Sequence, residues 1–206
     1  MTLPVETLQW VEPNPIEPPP WALELAGGQR LVAETLIRRG LTDPMQALAF
    51  LDRASYPRTD AFDLPDMEKA VLRIEQALAR GERIGVWGDF DVDGQSATAL
   101  LVSALLRLNA DVVFHVPVRA RESHGIQLAS LQSFLQQGVQ LLLTCDTGIT
   151  AHESIDYAQS NTVDVIVTDH HTLPEILPQA CAVVNSQRVA PDHPLFTLCG
   201  VGMAFK

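Results

Sequence analysis

Five short apolar runs in the second half of the chain restrict its fold more than any other feature. They are Ile84–Gly88, Val112–Val116, Leu141–Cys145, Val163–Thr168 and Ala182–Val184. Helical patterns lie between them, at about Ser96–Leu108, Ile126–Gln137 and His152–Gln159. Strands that are apolar throughout are typical of a parallel sheet with helices on both faces. The sequence therefore predicts a doubly wound, mostly parallel α/β domain over residues 82–206.

Two different segments precede this domain. Residues 1–20 contain six of the 14 prolines, which predicts an extended, proline-rich arm. Residues 21–81 have helical patterns and predict a small helical region. Its expected helices are Trp21–Arg39, ended by Gly40, then Asp43 to about Leu51, and about Pro65 to Arg80.

The composition is that of a folded globular protein, with 206 residues, 47% hydrophobic residues and a net charge of −11. No apolar run has the length of a membrane span, and the first residues do not form a secretory signal. The three cysteines are scattered and form no Cys-x-x-Cys pair. We therefore expect a cytoplasmic protein without a membrane partner.

The distribution of charge is more informative than its total. No Lys or Arg lies between Arg121 and Arg188, whereas the same stretch carries several Asp and Glu residues. If several of these carboxylates converge, metal ions or protons must neutralise them, because no cation from this stretch can.

Acidic motifs follow three of the predicted strands. They are Gly88-Asp-Phe-Asp-Val-Asp-Gly94, Thr144-Cys-Asp-Thr-Gly148 and Thr168-Asp-His-His171. Because ligands bind at the carboxyl ends of the strands in such sheets, we expect these side chains to meet at one edge. Carboxylates mixed with imidazoles suit divalent cations, and the histidines favour Mn²⁺ over Mg²⁺ or Ca²⁺. Charge crowded in this way predicts a cluster of two metal ions.

Two other interpretations of the first motif can be tested on the sequence. An EF-hand loop starting at Asp89 would need Glu at its twelfth position, but that residue is Leu100, and a strand rather than a helix precedes the motif. The EF-hand is therefore excluded. Ser96 would begin the next helix, whose amide groups could bind a substrate phosphate; alternatively, Ser96 only caps that helix.

The three motifs resemble those of the DHH phosphoesterase superfamily and, within it, those of the RecJ family of single-strand-specific 5′→3′ DNA exonucleases. The segment Leu198-Cys-Gly-Val-Gly-Met-Ala-Phe-Lys206 is also similar to a segment that follows the third motif in that family. The resemblance extends from about Trp21 to Lys206.

The resemblance implies a metal-dependent phosphodiesterase that acts in DNA recombination and repair. It implies Mn²⁺ or Mg²⁺ ligands at Asp91, Asp93, Asp146 and His170, with Asp89 as a further ligand. His171 joins Asp91, Asp93, Asp146 and His170 as an expected catalytic residue. Asp146 is expected to bridge two ions.

The segment Val118-Arg-Ala-Arg-Glu-Ser-His-Gly-Ile126 departs from the corresponding family motif, because Ser123 and His124 replace Gly and Tyr. Arg119 matches the motif and is our candidate for binding the 5′-phosphate of DNA, since a guanidinium pairs well with phosphate oxygens. His124 is expected to stack on a base or to contact a phosphate.

The family's fourth motif, an Asp beyond the Cys-Gly-Val-Gly segment, is absent from these 206 residues, so the resemblance implies an N-terminal portion truncated before that motif. We therefore expect an incomplete metal site and reduced activity from these residues alone. The expected partner is single-stranded DNA, with a single-strand-binding protein and a helicase as candidate protein partners. Two hypotheses remain beside the exonuclease: a DHH phosphoesterase for oligonucleotides, cyclic dinucleotides or pyrophosphate, and a non-catalytic DNA-binding or scaffold fragment.

Overall fold

The structure is a computed structural model that describes residues 11–56, 58–122 and 125–206. The chain divides into two compact units, one that ends at Arg58 and one that extends from Thr59 to Lys206.

The first unit contains three short helices: α1 (Pro20–Leu25), α2 (Arg30–Arg38) and α3 (Pro44–Leu51). The predicted helix Trp21–Arg39 is therefore two helices. Gly27 and Gly28 separate them, and both have positive φ angles, of 60° and 79°, which a helix cannot accommodate. The prediction for α3 is confirmed, and the Asp43 carboxylate caps it by accepting hydrogen bonds from the amides of Met45 and Gln46.

The described part of the predicted arm, residues 11–19, contains no helix or strand. It lies along α2, where Arg30 donates a hydrogen bond to the Glu17 carboxylate at 3.0 Å and Arg38 donates one to the Asn14 carbonyl at 2.7 Å. Residues 1–10 of the arm lie outside the described residues.

The second unit alternates helices with strands. Its helices are α4 (Met67–Arg80), α5 (Val92–Arg107), α6 (Arg119–Glu122), α7 (Leu128–Leu135), α8 (His152–Ser160) and α9 (Gly200–Phe205). Its strands are β1 (Arg83–Trp87), β2 (Asp111–His115), β3 (Leu141–Cys145), β4 (Asp164–Asp169) and β5 (Ala182–Asn185). All five predicted strands are present in this unit, each within one residue of its predicted bounds or at those bounds.

The five strands form one sheet in the order β2-β1-β3-β4-β5, and every neighbouring pair is parallel. A buried hydrophobic cluster lies on each face of the sheet. In β3, for example, Leu141, Leu143 and Cys145 belong to one cluster and Leu142 to the other. This confirms the predicted doubly wound α/β fold.

Helices α4, α5 and α9 supply the first cluster, with residues such as Met67, Ala97 and Met203. Because the buried face of α4 packs in the core of the sheet, this helix belongs to the second unit. The observed division near residue 58 therefore differs from the predicted domain boundary between residues 81 and 82.

Helices α7 and α8 cover the opposite face. The close approach of α7 depends on Gly85 in β1, where a Cβ atom would lie 2.7 Å from the Phe134 ring and 2.9 Å from Val139. Among the described helices, none is long and apolar enough to cross a membrane.

Candidate metal centre

Three adjacent strands bring the predicted site residues to the carboxyl edge of the sheet. Asp89 follows β1 by two residues, Asp146 comes directly after β3, and His170 comes directly after β4. Since β3 lies between β1 and β4, Asp146 is the central residue of this edge. The sequence order of the motifs is thus also their order across the sheet.

Asp146 belongs to two groups of side chains that could hold a metal ion. One group is Asp89, Asp91 and Asp146, and the other is Asp146, His170 and His171. Within each group, one potential ligand atom per residue lies within 4.8 Å of the others. A carboxylate shared by two such groups is the arrangement expected of a ligand that bridges two ions.

Two buried oxygens at this edge have no hydrogen-bond partner among the described residues: Oδ1 of Asp89 and Oδ1 of Asp146. The latter lies 3.0 Å from Nε2 of His170, without a hydrogen bond between the two atoms. Neighbouring ligands of an octahedral ion with bonds of about 2.1 Å lie roughly 3 Å apart. The spacing and the unpaired oxygens therefore fit a divalent cation bound between these side chains.

The electrostatics of Asp146 favour such a cation. Burial, followed by the negative charges of Asp93 and Asp91, raises the pKa of Asp146 to about 7. Its backbone is also in the left-handed region, with a φ of 60°, which is uncommon for a residue with a side chain. A strained backbone and a carboxyl group among like charges both lower the stability of the fold. Such features are found mainly at functional sites.

Asp169, the last residue of β4, orients the two histidines. Its carboxylate is fully buried, and Oδ1 accepts hydrogen bonds from the amides of His170 and His171 and contacts the His171 ring nitrogen Nδ1 at 2.7 Å. The other oxygen, Oδ2, accepts from the Ile149 amide. Although burial opposes it, these hydrogen bonds hold the pKa of Asp169 below its usual range.

The contact between Asp169 and the His171 ring also changes the pKa of His171. Its hydrogen bond with Asp169 raises the pKa of His171 to about 9, against the opposing effect of burial. Because Nδ1 faces Asp169, the ring keeps Nε2 available to the site. Asp169 is thus the orienting carboxylate of the kind that commonly supports a metal-binding histidine.

Asp93 lies beside these groups and is bound differently. Its two oxygens accept hydrogen bonds from the amides of Gly200 and Val201, the first residues of α9, both at 2.7 Å. Its Oδ2 also lies 3.5 Å from Nε2 of His170. Asp93 therefore caps α9 at the edge of the site, and its predicted role as a metal ligand stays a prediction.

Gly200 packs directly on the central carboxylate. A Cβ atom at this position would lie 2.3 Å from Oδ1 of Asp146. Only a glycine permits this approach, so the Cys-Gly-Val-Gly segment forms one wall of the site.

Helix α5 begins four residues before Ser96, where the sequence predicted its start. Helix α5 begins at Val92, and Asp91 caps it by accepting hydrogen bonds from the amides of Asp93 and Gly94. Ser96 lies one turn inside the helix and is exposed, so it neither begins nor caps α5. The reason is that Asp91 is itself a strong capping residue. Phosphate binding by Ser96 stays a prediction.

Arg119 begins α6 and is exposed. Its guanidinium lies over the ring of Phe90, 4.6 Å from the ring centroid, so the segment predicted to contact DNA reaches the loop that carries Asp89 and Asp91. A cleft of about 200 Å³ adjoins the site, lined by residues that include Asp89, Gly125, Asp146 and His171. The predicted residue His124 lies outside the described residues.

The class of protein defined by this fold and site is an α/β protein with a candidate divalent-metal centre at the carboxyl edge of its sheet. Residues 83–206 match the profile of the DHH family, N-terminal domain. The chain therefore belongs to the DHH family.

Similarity to particular proteins is more specific. The chain is 36% identical over 176 residues to the single-stranded-DNA-specific exonuclease RecJ of Bacillus subtilis, covering 85% of this chain and 22% of that protein. The crystal structure of an exonuclease RecJ bound to manganese has a TM-score of 0.65 and 37% identity, covering 72% of this chain and 37% of the other. The crystal structure of RecJ from Thermus thermophilus in complex with Mn²⁺ has a TM-score of 0.60 and 32% identity, covering 84% of this chain and 25% of the other. The chain thus spans between 22% and 37% of the length of these three proteins.

Sequence reasoning placed Asp169 in the third motif but gave it no role in orienting the histidines, and it missed the amides at the start of α9. A signal for Asp169 existed, because it ends a run of residues predicted to be fully buried, and a buried carboxylate needs hydrogen-bond donors. For Gly200 and Val201 no local signal existed, because the residue they contact, Asp93, lies 107 positions away from Gly200.

Proposed function

We propose that this chain carries the metal-binding part of a phosphodiesterase that removes nucleotides from the 5′ end of single-stranded DNA. One observation carries the proposal: the two groups of potential ligands that share Asp146, with buried carboxylate oxygens that no described hydrogen-bond donor satisfies. The similarity to RecJ exonucleases supports the choice of single-stranded DNA as substrate.

The proposed cofactor is Mn²⁺ or Mg²⁺, bound as two ions. Asp89, Asp91 and Asp146 would hold one ion, and Asp146, His170 and His171 the other. Mixed carboxylate and imidazole ligands support Mn²⁺, as does the manganese in the related RecJ structures. When bound, such ions activate water as a nucleophile and stabilise the charge of the phosphodiester transition state.

The protein's own residues prepare this site in three ways. Asp169 fixes the His171 ring by its contact at Nδ1, which directs Nε2 away from that carboxylate. The α9 amides hold the Asp93 carboxylate and thereby the start of α5. Arg119 offers a cation for a phosphate of the DNA backbone beside a site that is otherwise strongly acidic.

The wider biological setting is part of the same proposal. A RecJ-type activity would serve DNA repair and recombination in the cytoplasm. A single-strand-binding protein and a helicase are the proposed protein partners, because both accompany single-stranded DNA in such processes. Their contribution stays a prediction of the family resemblance.

The metal site is tested by titrating the chain with Mn²⁺ and following bound ion by electron paramagnetic resonance. We expect wild-type binding to be lost or strongly weakened in Asp146→Asn, because the shared ligand loses its charge. The matched control is Asp156→Asn, which removes one carboxylate from an exposed position on α8 and should bind Mn²⁺ as the wild type does. Equal Mn²⁺ binding by Asp146→Asn and wild type would refute the proposed site.

The activity is tested with single-stranded DNA labelled at its 5′ or its 3′ end. Mn²⁺-dependent release of labelled mononucleotide from the 5′-labelled strand, lost in Asp146→Asn and kept in Asp156→Asn, would support the exonuclease. Early release from the 3′-labelled strand would contradict its direction. Hydrolysis of cyclic dinucleotides or pyrophosphate in place of DNA would favour another DHH-family activity. Mn²⁺ binding without any hydrolysis would favour a scaffold role only if a chain extended to include the fourth motif is also inactive; hydrolysis by the extended chain alone would show that this metal site is incomplete.

A further inference from the structure

Phe90 lies between two of the candidate metal ligands, Asp89 and Asp91, and its ring faces the guanidinium of Arg119. The Arg119 Cζ atom lies 4.6 Å from the ring centroid, within the range of a cation–π contact. The contact directly joins two parts of the chain. One is the loop that carries Asp89 and Asp91, called the acidic loop below, and the other is the segment around Arg119 that is predicted to bind DNA.

The ring belongs to a loop whose position is fixed. The Gln95 side-chain amide donates a hydrogen bond to the Phe90 carbonyl, and the Asp91 carboxylate accepts two amide hydrogen bonds at the start of α5. The backbone that carries Asp89 and Asp91 therefore also sets where the Phe90 ring lies.

The backbone around Arg119 is anchored separately. Glu122, at the end of α6, contacts Nε2 of His115 at 2.8 Å and accepts a hydrogen bond from the Val118 amide. Although burial opposes it, the hydrogen bonds of Glu122 hold the pKa of this carboxyl below its usual range. This anchor holds the helix, but it leaves the long Arg119 side chain to be directed by its own contacts.

Arg119 has no carboxylate partner among the ion pairs of the described residues. A cation–π contact with a ring uses no oxygen acceptor, so the N–H groups of the guanidinium stay able to donate to oxygens. Those N–H groups form the planar fork that pairs with two phosphate oxygens. An arginine held over a ring is thus prepared to bind a phosphate at a defined distance from the acidic loop.

We propose that Phe90 is a positioning residue that orients Arg119 toward the terminal 5′-phosphate of a single strand. The inference rests on the proposed function, and it adds the residue that links phosphate recognition to the metal loop. In this arrangement Phe90, together with the anchored backbone of α6, sets the distance between the bound 5′-phosphate and the metal ligands, and this distance helps to select which phosphodiester lies at the site.

The test measures equilibrium binding to a twelve-nucleotide oligothymidylate carrying fluorescein at its 3′ end, with either a phosphate or a hydroxyl at its 5′ end. Anisotropy is recorded at low salt with EDTA, so that no strand is cleaved. We expect the wild type to prefer the 5′-phosphorylated strand and Phe90→Leu to lose about two- to fivefold of that preference. Phe90→Tyr keeps the aromatic ring and should restore the preference.

Two further variants show whether the effect passes through Arg119. Arg119→Ala should lack the preference, and adding Phe90→Leu to it should change nothing more, because the two residues act as a unit. Arg119→Lys keeps the charge without the planar group, so it should lose preference as Phe90→Leu does. Arg119→Lys tests only the planar group of Arg119, so Phe90→Met, which fills a similar volume without an aromatic ring, tests the role of Phe90 if Phe90→Leu folds poorly. The melting temperature and Mn²⁺ affinity of Phe90→Leu serve as the folding control.

The outcomes separate this inference from the proposed function. Unchanged preference in Phe90→Leu, additive losses in the double variant, or wild-type preference in Arg119→Lys would overturn the role of Phe90. A wild type that degrades single strands but does not prefer a 5′-phosphate would overturn this inference alone. A wild type that neither binds nor degrades single strands would overturn both proposals.

Discussion

Gly200→Ala tests whether the start of α9 is built to fit Asp146. The added Cβ would lie 2.3 Å from Oδ1 and 2.5 Å from both Cβ and Cγ of Asp146, whereas ordinary contacts are at 3.4–4 Å. Asp146 is 2% exposed and its backbone is constrained, so α9 must move by about 1 Å. Overpacking of this kind costs about 1–3 kcal/mol, and the better helix propensity of Ala offsets up to about 1 kcal/mol.

The net loss of about 1–2 kcal/mol should lower the melting temperature by roughly 2–8 °C, measured by calorimetry in EDTA. Because α9 would draw its amides away from Asp93, Mn²⁺ affinity should fall by at least about tenfold. Gly202→Ala is the matched control, since its Cβ would meet only the flexible Leu198 side chain, at 3.1 Å. A Gly200→Ala chain with wild-type stability and Mn²⁺ affinity would refute this account of the site wall.

Three further predictions follow from the charges of the site. Asp146 has a pKa of about 7 in the folded chain, above its ordinary value, so its own contribution to the stability of the metal-free protein should be lost as pH rises from about 4 to 7. In urea unfolding at pH 8, Asp146→Asn should therefore be more stable than wild type by about 1–3 kcal/mol. The difference should be absent at pH 4. A variant that is less stable than wild type at pH 8 would contradict this prediction. Asp169→Asn should lower the pKa of His171 from about 9 toward its ordinary value in an NMR titration of the metal-free chain, and an unchanged pKa would show that Asp169 does not control that ring. Few cations lie near the site, so binding of single-stranded DNA should be weak and should fall steeply with added salt, whereas nanomolar affinity at physiological salt would contradict it.

Much of the fold could be predicted because its signals are local. The strand β3 appears in the sequence as the run Leu141–Cys145 and has those bounds in the structure. Helix α3 was identified by Asp43 and Pro44, whose capping chemistry depends only on adjacent residues. The break between α1 and α2 was missed because the hydrophobic pattern continues through Gly27 and Gly28, whose left-handed backbone ends the helix. Helix α5 begins earlier than the sequence predicts because Asp91, a candidate metal ligand, also caps the helix.

The sequence by itself determined that carboxylates and histidines would meet at one edge, because parallel strands end on the same side of a sheet. Asp89, Asp146 and His170 follow three such strands, and this needs no knowledge of side-chain packing. Only the tertiary structure decided how these groups are supported. The contacts of Asp93 with Gly200 and of Phe90 with Arg119 join segments that are far apart in the chain. Such contacts leave no periodic or local signal, since they depend on how helices pack on the sheet rather than on neighbouring residues.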